Sequence, residues 1–79
     1  MPKSIDVGGI LFVLQPGTRL WVGRWEADDR DQNRVAHEVR SAFRAALVHR
    51  MRPFRLKTKF RRGFGCDWII EVAVEEINR

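Results

Sequence analysis

Arg55, Lys57, Lys59 and Arg61 occupy every second position of the stretch that begins at Phe54. In a β-strand that spacing sends side chains to one face at intervals of about 7 Å. Cations so arranged come close to the phosphate spacing of a single nucleic-acid strand, and contacts of this kind bind without reading sequence. Arg62 extends the run, and Phe64 follows between Gly63 and Gly65. A ring held there stacks on a base or wedges into a base step, provided it does not fold back on the core. Against a nucleic-acid role stand Asp67, Glu71 and Glu75, which would neutralise part of the stripe, and the ordinary use of charged runs as solvated surface.

Catalytic chemistry has thinner support. His37 and His49 have no acidic partner at a useful spacing and no H-E-x-x-H pattern, so both read as surface histidines. Cys66 beside Asp67 lacks a neighbouring base and reads as a small hydrophobe at the end of a hairpin. A metal-independent ribonuclease needs little more than a proton-transfer group and arginines, which His49, Lys57, Lys59 and Arg61 would supply. Nothing in their spacing demands it, and the expectation is a protein without enzymatic activity, metal or cofactor.

These residues need elements to position them, and the organising one is a helix from Asp29 to Met51. Val35, Val39, Ala42, Phe43, Ala46 and Leu47 converge on one side at 100° per residue, and Arg30, Arg34, His37, Ser41 and Arg44 on the other. Asp29 and Gln32 match a capping box; Asp28, Asp29 and Asp31 suit the positive end of the helix dipole, and His49, Arg50 and Arg52 the negative end. Pro53 then stops it. Arg30, Arg34 and Arg44 join the basic strand as expected nucleic-acid contacts.

Two hairpins flank the helix. Ile10 to Leu14 and Arg19 to Trp25 surround Pro16 and Gly17, a type II turn pair that sets Leu14 against Arg19, Phe12 against Trp21 and Ile10 against Gly23. Such a turn suits the hairpin twist poorly, so this register can slip. The Gly8, Gly9 pair before it marks a bulge or a close backbone approach. After the helix, Phe54 to Arg61 and Trp68 to Glu75 alternate apolar and charged. Pairing Phe60 with Trp68 also opposes Lys57 to Glu71 and Arg61 to Asp67.

The expected fold is a single α+β domain over residues 1–79, β-β-α-β-β, with one helix packed on one face of a mostly antiparallel four-stranded sheet. One helix covers one face, and the second hairpin makes its other face charged. The first hairpin is apolar on both sides. Ile10, Phe12, Leu14, Trp21 and Trp25, or their neighbours after a slip, are therefore the expected exposed patch and partner interface, most economically with a second copy of the chain. A chain of 79 residues buries only roughly 60% of its unfolded surface and gains from such burial.

The net charge of +5 is unevenly spread. Eleven Arg or Lys and two acids lie between Arg30 and Arg62, a balance of +9 that leaves −4 for the rest. A lone cysteine, the lack of a signal-peptide pattern and the lack of a spanning apolar run suggest a soluble, cytoplasmic protein away from membranes. The function expected is binding, of DNA or RNA through the basic strand and helix face. The alternative is a protein target bound through the apolar first hairpin and the basic surface, the latter on an acidic patch, as for a small inhibitor such as a mobile-element-encoded antagonist.

Overall fold

Gly8 and Gly9 turn the chain back after only four strand residues. Both have positive φ, 56° and 90°, the conformation that a primed two-residue hairpin turn requires and that glycine adopts without strain. Val7 thereby comes opposite Ile10, and β1 (Ser4–Val7) pairs antiparallel with β2 (Ile10–Leu14). The glycine pair is a hairpin turn, not a bulge, and the expected four strands are five. The structure, a computed structural model, describes residues 2–26, 32–51, 53–65 and 67–77.

β2 continues to β3 (Leu20–Glu26); α1 (Gln32–Leu47) follows, then β4 (Phe54–Arg62) and β5 (Asp67–Glu76). The strands form one antiparallel sheet in the order β1-β2-β3-β5-β4. The helix ends at Leu47, where its apolar stripe ends, four residues before the Met51 expected from Pro53. The last α-helical residue, Leu47, is fully buried, whereas Val48 is exposed, and the Arg50 amide donates to the Leu47 carbonyl in a tightened final turn. The capping signals at Asp28, Asp29 and Asp31, and Arg52 near the other end, lie outside the described residues.

Both long hairpins pair two residues away from the expected register, for reasons visible in their turns. The Thr18 amide donates to the Gln15 carbonyl around Pro16 and Gly17, with Gly17 at φ 71°. The Thr18 hydroxyl then donates to Gln15 O and accepts from Leu20 N. The turn is thus lengthened, so Leu14 pairs with Trp21 and Phe12 with Gly23. In the other hairpin the Gly63 amide donates to Asp67 O, and Gly65 has φ 65°. The tighter loop puts Phe60 opposite Ile70 and Lys59 opposite Glu71. A shift of two preserves which residues share a face.

The inner face of the sheet meets the helix. Phe43 stands edge-on to Phe12 and Trp21, with centroids 5.1 and 5.6 Å away. Val35, Ala36, Val39 and Leu47 complete the buried helix stripe, against Ile5, Val7, Ile70, Val72 and Val74. Gly23 makes room for this packing, since a Cβ there would lie 2.8 Å from the Phe12 ring. Trp25, Phe60 and Trp68 form a second aromatic group on the same face.

This arrangement corrects the expected partner interface. Phe12 and Trp21 are fully buried, Trp25 is buried, and Ile10 and Leu14 pack against the core. The bulky side of the first hairpin faces the helix because large aromatics gain most from burial. Its aliphatic side, Leu11, Val13, Leu20 and Val22, faces outward.

Candidate functional site

Alternation along β4 and β5 fixes the outer face of the sheet. Arg55, Lys57, Lys59 and Arg61 project from it, as their spacing predicts, and all are largely exposed. Most of that charge is already met by β5. Arg55 Nε and Lys57 Nζ share Glu75, each at 3.2 Å, and Arg61 Nε lies 3.5 Å from Glu71. The expected partners were Glu71 for Lys57 and Asp67 for Arg61; the tighter loop moves each cation to a different acid. Asp67 instead accepts from Arg24 of β3, with Nε 2.6 Å from Oδ2, and that hydrogen bond, with the attraction of the carboxylate, holds the Arg24 pKa above its ordinary value. The raised pKa is that of a cation, so any stabilisation from it is complete below the unfolded value and disappears only in strong alkali.

The cations left without a carboxylate partner, among the described residues of β4, are Lys59 and Arg62. Arg62 turns to the inner side, its guanidinium 4.8 Å from the centre of the Trp68 ring. Phe64 stands just beyond, 94% exposed. It does not fold back on the core. Its backbone is held in the loop, with its carbonyl accepting from the Asp67 amide at 3.3 Å and the Gly63 amide bonded to Asp67 O at 2.9 Å. Arg24, Arg61, Arg62, Gly63, Phe64 and Ile69 line an open concavity of about 430 Å³ at this end of the sheet.

The helix cations belong to a different surface. Arg34 is exposed and paired with Glu38 at 3.3 Å, and Arg44 lies 5.4 Å from the centre of the Phe54 ring. Both sit on the helix side of the molecule, whereas the β4 stripe projects from the opposite face, so the two groups do not form one basic surface. Arg30 lies outside the described residues, as does Cys66. His49 follows the helix over the inner face, which separates it from Lys57, Lys59 and Arg61. Among the described residues, no group of three His, Cys, Asp or Glu converges to hold a metal ion, and no helix is long and apolar enough to cross a membrane.

One feature lies beyond what sequence reasoning found, and another falls on the neighbours of the expected patch residues. Arg24 and Ile69 complete the concavity beside Phe64. Leu11 and Val13, 54% and 46% exposed, form the apolar surface of the first hairpin. One signal pointed to both: Arg24 and Glu26 share strand parity with Leu20 and Val22, and two charges on one side of β3 mark that side as facing solvent. No family model, curated protein or solved structure matches the chain.

Proposed function

We propose that this chain is a non-enzymatic binding module that engages nucleic acid at the tip of the β4–β5 hairpin. The observation that carries this reading is Phe64, an aromatic ring left in water at 94% exposure with Arg61 and Arg62 beside it. Fully burying a phenylalanine is worth roughly 1.5 to 3 kcal/mol, so a ring kept out of the core is available to a ligand. Base stacking uses an aromatic face and phosphate contact uses the neighbouring cations. The lone cysteine and this ligand class both suit the cytoplasm.

Fluorescence anisotropy with a labelled oligonucleotide tests the reading. Log affinity should fall linearly with log salt, and Lys59→Gln or Arg62→Gln should each flatten that slope by somewhat under one unit. No binding at physiological salt, or variants indistinguishable from the parent, would overturn it.

A second reading has its own observation. Leu11, Val13, Leu20 and Val22 present an aliphatic strip on the uncovered face, with Ala73 of β5, opposite Leu20, continuing it. Apolar surface of this kind favours a protein partner, with a second copy of the chain the most economical and a foreign target the alternative. Sedimentation velocity across a concentration series distinguishes a self-associating chain from one that stays monomeric.

A further inference from the structure

The tip of the hairpin has features that choose among nucleic-acid forms. From them we infer that the concavity beside Phe64 takes one unstacked base of a single strand together with its adjoining phosphate, in preference to a duplex. This rests on the nucleic-acid reading above.

β4 and β5 are not a free ribbon. β5 pairs with β3 from Leu20↔Ala73 through Glu26↔Asp67, to the very start of β5. Only the short loop after Arg62 projects, and a sheet anchored this way lacks the free two-stranded edge that enters a major groove. The cationic footprint is also narrow. Glu75 and Glu71 meet Arg55, Lys57 and Arg61, which leaves Lys59 and Arg62 to reach phosphates without first breaking an ion pair. That is too few to grip both strands of a duplex and enough for one or two phosphates of a single strand.

The concavity itself suits a base. Its 430 Å³ falls within the roughly 300–1,000 Å³ of ligand clefts. It is lined by Phe64 and the aliphatic Ile69, by Arg24 and Arg61, which are held by Asp67 and Glu71, and by Arg62, whose guanidinium lies over Trp68. Gly63 keeps the place open: a Cβ there would crowd Ile69 at 3.3 Å and fill space on the same outer face. In a duplex the base faces are stacked on one another, so a lone exposed ring gains most from a strand whose bases are free.

The test compares a short labelled oligothymidylate with a duplex of the same length, in parallel salt titrations. The single strand should bind more tightly. Phe64→Ala should weaken it roughly 5- to 150-fold with the salt slope unchanged and duplex affinity little altered. Phe64→Trp should restore binding, and Gly63→Val, checked for folding by circular dichroism, should weaken it as Phe64→Ala does. Equal affinity for the two forms, or a duplex preference that Phe64→Ala abolishes as for a wedge, would overturn this inference and leave the proposed function standing. Failure to bind either probe would overturn both.

Discussion

The two long hairpins solve the same problem in different ways. Each puts large apolar side chains on the inner face: Phe12, Trp21 and Trp25 in β2–β3, and Phe54, Ile70, Val72 and Val74 in β4–β5. They differ on the outer face. There β4–β5 carries cross-strand ion pairs, Arg55 and Lys57 with Glu75 and Arg61 with Glu71, whereas β2–β3 carries Leu11, Val13, Leu20 and Val22. Charged pairs across strands serve as a solvated surface and also discourage another strand from adding at the β4 edge. Aliphatic residues do neither. The contrast teaches that the basic stripe has an adequate structural role along most of its length, and that this role stops at the Phe64 tip and the Leu11–Val13 surface, on which the two proposed readings rest.

The largest effect tests the shared inner face. Phe43→Ala removes the ring that both Phe12 and Trp21 meet edge-on, and should cost about 3–5 kcal/mol by urea unfolding. A chain of this size holds only about 4–12 kcal/mol in all. A cost below 1 kcal/mol would mean that the helix does not clamp the first hairpin. Next comes Gly23→Val, which should cost about 1–3 kcal/mol because the added carbons meet the Phe12 ring in a filled core. Stability equal to the parent would show that Phe12 has room to move.

Smaller changes sharpen the outer-face contrast. Glu75→Gln should alter stability by less than about 1 kcal/mol, since the pairs it breaks are largely solvent-exposed. It should also release Arg55 and Lys57, steepening the salt dependence of oligonucleotide binding by up to about one unit. An unchanged slope would confine phosphate contact to the tip. Smallest of all, Leu11→Ser with Val13→Ser should leave monomer stability within about 0.5 kcal/mol per site. If the aliphatic strip joins two copies, light scattering should report dimers for the parent and monomers for this variant. Dimers in both would place the interface elsewhere.

Element types were legible in the chain, and so was most of the pairing parity. Proline and periodicity located the helix; alternation located the two strands of the second hairpin and their faces, and apolar runs around Pro16 and Gly17 located the two of the first. The fifth strand escaped because Ser4–Val7 is short and Gly8–Gly9 reads equally as a bulge until both φ values are known. Register escaped twice, because alternation repeats every two residues and permits shifts by two. Hydrogen bonds in the turns decide among them, those of Thr18 in one and of Gly63 in the other. The choice of buried side in the first hairpin lay in the charge of Arg24 and Glu26, a weaker cue than bulk apolarity. Phe64 was placed correctly in a loop; its exposure is a tertiary property that local spacing does not contain.

The pairing of β3 with β5 has a consequence for how quickly the chain reaches this fold. Among the described residues, the other strand pairings are hairpins closed by short turns, whereas β3–β5 joins segments on either side of the helix, from Glu26↔Asp67 to Leu20↔Ala73. Closing that span requires chain entropy to be lost before its contacts can form, while the flanking hairpins zip locally. Formation of this seam should therefore limit the folding rate. Substitutions along Trp21, Val72, Gly23 and Ile70 should register in the folding rate, and those in the β1–β2 turn mainly in the unfolding rate.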